Sequence, residues 1–132
     1  MKVLLDTNVL ASAVATRGLC ADVLREVLAE HELIICPQIL SELQRILQTK
    51  FGVSSELIED FVWLLQQDTI CSEPGDLPKL NLKDEEDLGI LAAAISGGAN
   101  IIVTGDGELQ ELGHFLDIKI MSPRQFWQEL TA

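Results

Sequence analysis

The stretch DEEDLGILAAAISGGANIIVTGD, from Asp84 to Asp106, decides the fold of this chain. It opens with four consecutive acidic residues, continues as an apolar run, and is then broken by Gly97-Gly98, as helices commonly are at their C-terminal ends. The short β-branched run that follows, residues 101–103, is typical of a buried strand. The stretch therefore predicts a helix, a tight turn and a strand, with acids at the start of the helix and at the end of the strand.

These two groups of acids should meet at one edge of a sheet. In a parallel α/β sheet, the N-terminal end of a helix that follows a strand lies at the edge where strands end, and open α/β sheets bind ligands there. The first three acids of the run are explained equally well as helix-capping residues. Asp87 is different, because Ile90 and Leu91 lie three and four positions further on and place its carboxylate beside the apolar face. A carboxylate in that position normally has a partner.

Strand and helix patterns alternate along the rest of the chain. This alternation predicts a single α/β domain over residues 1–132, a three-layer α/β/α sandwich around a mostly parallel sheet of about five strands. The predicted strands are Val3–Leu5, Leu33–Cys36, Asp68–Cys71, Ile101–Val103 and Ile118–Ile120. Helices are predicted between and after these strands, and the last one opens with the capping box Ser122-x-x-Gln125.

The composition is that of a globular domain with an aliphatic core. Hydrophobic residues make up 48% of the chain and aromatic residues only 5%, so leucine, isoleucine, valine and alanine must fill the interior. No apolar run approaches the roughly 20 residues of a membrane span, and Met1 leads straight into a strand. We therefore expect a cytoplasmic protein without a membrane partner. The three cysteines lack metal-ligand spacing and are expected to be reduced, buried side chains.

Four acids fall at the predicted edge of the sheet. Asp6 follows the first strand and Asp106 the fourth, Asp87 begins a helix, and Glu42 lies less than two helical turns after the second strand. Asp6 could also be a simple helix cap. Carboxylates this close repel one another unless they are compensated, and Mg²⁺ or Mn²⁺, which prefer oxygen ligands, are the simplest compensation. Ions held in this way activate water and support displacement at phosphorus.

The order of these motifs resembles the PIN domain family. DTN follows the first strand, a Glu lies in the third helix, D-x-x-D opens a later helix and TGD follows a strand. The similarity runs from Lys2 to about Leu130 and is greatest to bacterial and archaeal PIN toxins of toxin–antitoxin pairs. The resemblance implies metal-binding catalytic residues and three supporting residues. The former are Asp6, Glu42, Asp87 and Asp106, and the latter are Asn8, Thr104 and Asp84.

The resemblance also implies an activity and partners. The activity is Mg²⁺- or Mn²⁺-dependent endoribonuclease cleavage of RNA, and the partners are a cognate antitoxin protein and a second copy of the chain. A non-catalytic PIN-like interaction module remains the alternative. The net charge of −12 argues against broad electrostatic binding of nucleic acid, although bound divalent ions would reverse the local sign. The sequence does not rank the candidate phosphate contacts, which are Arg17, Arg45, Lys50, Lys79 and Lys83.

Two other Mg²⁺-binding folds fit the sequence poorly. A signalling receiver domain needs an aspartate at the end of a central strand and a lysine at the end of a later one, but Cys71-Ser72 and Ile120-Met121 stand at those places. A haloacid-dehalogenase-like phosphatase needs a second aspartate two residues after Asp6, where this chain has Asn8.

Overall fold

A computed structural model describes residues 1–131 as a mostly parallel sheet flanked by helices. The strands are β1 (Lys2–Leu5), β2 (Glu32–Ile35), β3 (Ile70–Cys71), β4 (Ile101–Val103), β5 (His114–Phe115) and β6 (Ile118–Met121). The helices are α1 (Thr7–Ala15), α2 (Leu19–Glu30), α3 (Pro37–Thr49), α4 (Ser55–Leu65), α5 (Glu85–Gly97), α6 (Gly107–Leu112) and α7 (Pro123–Leu130). The predicted α/β/α architecture is confirmed.

The sheet has six strands in the order β3-β2-β1-β4-β6-β5, one more than the five predicted. The additional strand, β5, pairs antiparallel with β6 at the edge, whereas the other pairs are parallel. It has only two residues and is created by a hairpin in which Leu116 adopts a φ of 54°. A two-residue segment has no alternation that sequence patterning could detect.

The strand order places a crevice between β1 and β4. From β1 the chain moves outward to β2 and β3, then returns to add β4 and β6 on the other side of β1. The connections after β1 and β4 therefore diverge at their carboxyl ends, which is the usual position of a ligand site in open α/β sheets. All residues of β4, and all of β1 except Lys2, are buried, so the crevice has a rigid apolar floor.

Helices cover both faces of this sheet. Helix α1 packs on both α2 and α3, α4 packs on α3 and α7 on α2, while α5 lies against β2. Right-handed crossovers put α5 on the face opposite to α1 and α3. Helix α5 ends as predicted, because Gly98 adopts the left-handed conformation at a φ of 72° and its N–H bonds to the carbonyl of Ala94. Ile95, in the last turn of α5, is exposed to solvent.

The cysteines depart from the expectation that all three are buried. Cys36 is buried, Cys20 is half-buried and Cys71 is exposed, and all three are free thiols. Cys71 is exposed because β3 is a two-residue strand at the sheet edge with no strand beyond it. None of the helices within residues 1–131 combines the length and the apolar character that crossing a membrane requires.

We predict that Gly97→Ala destabilises the fold. A Cβ atom at this position would lie 2.8 Å from Cγ2 of Ile34, so α5 would have to move away from β2. Such overpacking costs about 1–3 kcal/mol, which exceeds the gain of up to about 1 kcal/mol in helix propensity. Urea unfolding measures the difference. Gly75→Ala is the control, because its Cβ would meet nothing closer than Ser96 Oγ at 3.9 Å. Equal stability of the two variants would contradict this packing.

Candidate active site

A cavity of about 440 Å³ lies at the carboxyl edge of the sheet, between β1 and β4. The structure brings together there all four acids that the sequence singled out, together with two of the three supporting residues. The lining includes Asp6, Glu42, Asp87, Asp106, Asn8 and Asp84. A larger and more open groove of about 1240 Å³ runs along α6, β6 and α7. The smaller cavity is the candidate site because the carboxylates converge on it.

Asp6 is both a helix cap and part of the cavity wall. Its Oδ1 accepts a hydrogen bond from the N–H of Thr7 at 2.7 Å, which caps α1. Its Oδ2 accepts a hydrogen bond from the hydroxyl of Thr104, also at 2.7 Å. Thr104 is completely buried behind the cavity and lies 98 positions away in the chain. Asp6 therefore caps α1 and also lines the cavity.

Thr104 also connects Asp6 to Asp106. The N–H of Asp106 donates to Thr104 Oγ1 at 3.0 Å, and Gln110 Nε2 donates to the Thr104 carbonyl at 2.7 Å. Asp106 in turn caps α6, since its Oδ1 accepts from the N–H of Leu109 at 2.9 Å. One buried hydroxyl thus fixes the relative positions of two carboxylates that end neighbouring strands.

Three helices begin at the cavity, and their N-terminal ends partly offset its negative charge. Besides α1 and α6, α5 starts there with Asp84 as its cap, whose Oδ1 accepts from the N–H of Glu86 at 2.9 Å. A helix N-terminus carries a partial positive charge that favours nearby carboxylates. The expected capping role of Asp84 is confirmed, and its carboxylate lines the cavity as well.

Asp87 is the least compensated acid of the group. It is only 5% exposed, and within residues 1–131 its Oδ2 is a buried side-chain oxygen without a hydrogen-bond partner. Burial, followed by the charges of Asp106, Asp84 and Asp6, raises its pKa from 3.8 to about 7. Burial also raises the pKa of Asp6, against the lowering effect of its bonds to Thr104 and Thr7.

Helix α3 supplies the fourth acid, Glu42, and the cation that contacts it, Arg45. Glu42 is half-buried, and its Oε2 accepts a hydrogen bond from Arg45 at 2.7 Å. The bond to Glu42 and its charge, together with the charge of Glu86, raise the pKa of Arg45. The hydrogen bond occupies one of the two Glu42 oxygens.

The sequence analysis missed Gln38 as a cavity residue. Gln38 lies four positions before Glu42, on the same face of α3, and that spacing was the signal that could have identified it. Its Nε2 lies 3.5 Å from the carbonyl of Glu86, which bridges α3 to α5. Gly89 leaves room for this contact, because a Cβ atom there would meet the side-chain amide oxygen of Gln38, which would then have to move.

The donor set of the cavity fits a divalent cation that prefers oxygen. Carboxylate oxygens are the ligands that Mg²⁺ and Mn²⁺ select, and the free Oδ2 of Asp87 is a buried oxygen that such an ion would satisfy. Among residues 1–131, no three acidic, histidine or cysteine side chains surround a single point as the ligands of an ion do. The carboxylates line the cavity walls, so they would have to turn inward to hold an ion.

The raised pKa of Asp87 predicts that stability falls as pH rises. Between its ordinary value of 3.8 and about 7, the folded chain binds a proton at Asp87 that the unfolded chain has released. The free energy of unfolding should therefore decrease across this range, and Asp6 contributes in the same direction. Urea unfolding in EDTA at a series of pH values measures the decrease.

Asp87→Asn isolates this contribution because it keeps the shape of the side chain and removes the titrating group. The variant should lose most of the pH dependence, whereas Asp76→Asn, at an exposed loop position, should retain it. Identical pH profiles for wild type and Asp87→Asn would show that the carboxyl group of Asp87 is not responsible.

Comparison with known proteins bears on the family and the fold of this chain. The family model described as "PIN domain" matches residues 2–108. The fold is similar to a chain of VapBC-1 from nontypeable Haemophilus influenzae, with a TM-score of 0.60 and 19% identity over 94% of this chain and 99% of that one. It is also similar to a chain of VapBC2 from Rickettsia felis, solved bound to a DNA fragment from the promoter. The TM-score is 0.58, and the identity is 15% over 91% of this chain and 98% of that one.

At these identities the two structures show a common fold. No curated protein matches the sequence at a significant level. The family model, however, covers most of the chain and includes every acid of the cavity. This chain belongs to the PIN domain family.

Proposed function

We propose that this protein is a Mg²⁺- or Mn²⁺-dependent endoribonuclease that hydrolyses RNA phosphodiester bonds as the toxin of a toxin–antitoxin pair. The observation that carries the proposal is the convergence of Asp6, Glu42, Asp87 and Asp106 on one cavity, with a buried oxygen of Asp87 left unpartnered. Membership of the PIN domain family supports nuclease chemistry. The likeness to chains of VapBC complexes supports the toxin role.

The protein's own residues would prepare the site before substrate arrives. Asp6 is anchored by Thr104 and Thr7, and Asp106 by the N–H of Leu109, so both carboxylates are held at the cavity wall before substrate arrives. A divalent ion held there would lower the pKa of a bound water and neutralise charge on the scissile phosphate. Because the pKa of Asp87 is raised to about 7, an ion that bound this carboxylate below that pH would have to displace a proton.

We also propose two protein partners and a location. A cognate antitoxin is supported by the VapBC structures, which are complexes by their descriptions. A homodimer and a cytoplasmic location follow from the resemblance to PIN toxins. Light scattering of the purified protein measures its oligomeric state, and co-purification with the product of a neighbouring small gene tests the antitoxin.

Asp6→Asn and Asp106→Asn should each abolish RNA cleavage while the protein remains folded. Asparagine is a good helix cap, so the bonds to the N–H groups of Thr7 and Leu109 can persist. The lost charge removes a proposed ligand, which should lower the rate by orders of magnitude. Cleavage of a labelled RNA in Mn²⁺ measures the rate, and circular dichroism checks the fold.

The matched control is Asp76→Asn, which makes the same chemical change in an exposed loop and should cleave at the wild-type rate. Near wild-type cleavage by Asp6→Asn or Asp106→Asn would mean that the active site is elsewhere. If the wild-type protein cleaves no RNA with either ion, the non-catalytic interaction module becomes the better explanation.

Mn²⁺ or Mg²⁺ should raise the melting temperature more at pH 8 than at pH 5. At pH 8 Asp87 is ionised and an ion relieves the repulsion among the carboxylates, whereas at pH 5 the ion must first displace a proton. An ion at 100 times its Kd stabilises the folded state by about 2.7 kcal/mol, which for a domain of this size is a rise of roughly 10 °C. Differential scanning fluorimetry measures the shift.

The double variant Asp6→Asn/Asp106→Asn should lose most of this stabilisation. An equal shift in the double variant and the wild type would place the bound ion outside the cavity and leave the catalytic proposal without its metal site.

A further inference from the structure

We infer that Arg45 is the phosphate-binding residue of this site and that the RNA strand leaves the cavity along α3. The inference rests on the proposed ribonuclease function and names a residue that contacts the substrate. Among residues 1–131, two ion pairs form, and the pair between Arg45 and Glu42 is the one that includes a cavity residue. The side chain of Arg45 is 61% exposed, so an incoming phosphate can reach it.

The distribution of charge makes α3 the favourable path for a polyanion. Helices α4 and α5 each carry three acidic residues and no lysine or arginine. Helix α3 has one acid, Glu42, and one base, Arg45, and Lys50 follows directly at its C-terminal end. Of the helices that border the cavity, α1 has no charged residue and α5 and α6 have acids only. In a protein with a net charge of −12, α3 is therefore the one of these helices that offers an RNA strand a cation.

The polar face of α3 runs from the cavity towards solvent. Gln38, Glu42, Arg45 and Thr49 are spaced by four, three and four positions, so they lie along one face of the helix. The first two residues line the cavity, and the last two are exposed beyond it. Arg45 therefore lies one turn outside the carboxylates, where the phosphate next to the scissile one would pass.

Arg45 has the right chemistry for that position. A guanidinium can present two parallel N–H donors to a phosphate, and in this structure one of the Arg45 donors, at Nη2, binds a carboxylate oxygen of Glu42. Glu42, which lines the cavity, thereby holds the Arg45 side chain next to itself. A phosphate can bind the donors that Glu42 leaves free.

The structure separates Arg45 from the other basic candidates. Arg17 follows the C-terminal end of α1, roughly 14 Å along a helix whose other end is at the cavity. Lys50 lies over the ring of Phe51, with its Nζ 5.7 Å from the ring centroid. Lys79 is an exposed loop residue outside the cavity lining. Lys83, whose N–H binds Glu108 at 2.9 Å, is the nearest competitor because it precedes Asp84.

The test is the salt dependence of RNA binding, measured by fluorescence anisotropy with a short fluorescein-labelled single-stranded RNA. An Asp106→Asn background, in Mg²⁺, is used so that the probe survives. Adding Arg45→Gln should weaken binding roughly tenfold and flatten the slope of log K against log salt concentration by about 0.7, the loss of one contact to single-stranded RNA. Arg45→Lys should restore the slope, because the charge returns, but only part of the affinity.

Arg25→Gln is the matched control. Arg25 forms the same kind of pair with Asp22, three positions apart and exposed, on α2 and outside the cavity lining. Both glutamine variants lose one positive charge and one exposed ion pair, which contributes little to stability, so both should melt close to the parent temperature. In the cleaving parent protein, Arg45→Gln should raise KM more than it lowers kcat, and Arg25→Gln should change neither.

The outcomes separate this inference from the proposed function. If the wild-type protein cleaves RNA but Arg45→Gln and Arg25→Gln bind it equally, the inference is wrong and the nuclease stands. A greater loss of affinity with Lys83→Gln than with Arg45→Gln would also overturn it. A protein that neither binds nor cleaves RNA contradicts the inference and the proposed function together.

Discussion

The hydrogen bond between Thr104 and Asp6 is the contact on which the arrangement of the cavity depends. It joins the ends of two adjacent parallel strands through a fully buried hydroxyl, and the same hydroxyl accepts from the N–H of Asp106. Two carboxylates are thereby held on neighbouring strands although their charges repel. A hydroxyl suits this position because it can donate and accept at the same time, which neither an amide N–H nor a carbonyl can do.

The acids of the cavity differ in how far hydrogen bonds compensate their negative charge. Asp6, Asp84 and Asp106 each accept an N–H at the start of a helix, so part of their charge is met by the backbone. Asp87 lies in the first turn of α5, where its own N–H bonds to the Asp84 carbonyl and the N–H of Glu86 is taken by the Asp84 side chain. Its buried oxygen is therefore left unsatisfied. A buried oxygen without a hydrogen-bond partner destabilises the fold, and ligand-binding sites commonly retain such atoms in the ligand-free state.

Helix α3 combines two tasks that an acidic protein has to reconcile. A cluster of carboxylates repels RNA, yet the proposed reaction requires RNA to come close to it. Glu42 and Arg45, paired on adjacent turns, bring an acid into the cavity and a cation to its mouth on the same rigid element. Gln38 approaches α5 at Gly89, with its Nε2 3.5 Å from the Glu86 carbonyl, so α3 and α5 come close to each other beside the cavity.

The sequence by itself determined the parallel α/β architecture and the edge at which the acids gather. Short apolar runs that end in Asp6 and Asp106, and the glycine stop after α5, are local patterns, and local patterns encode strand ends and helix ends. Even Glu42 could be placed from helical phase alone, because a helix of known start fixes the direction of every side chain.

Only the tertiary structure decided which of these groups touch. The bond between Thr104 and Asp6 spans 98 positions, and Gln38 approaches Gly89 across two helices that the sequence separates by a strand and another helix. The exposure of Cys71 and the two-residue strand β5 depend on what lies next to them at the sheet edges. Arg45 stood out among five basic candidates only when its contact with Glu42 was known. The periodicity of the sequence indicates which face of a single helix or strand is buried. Contacts between elements follow instead from the order of the strands in the folded sheet.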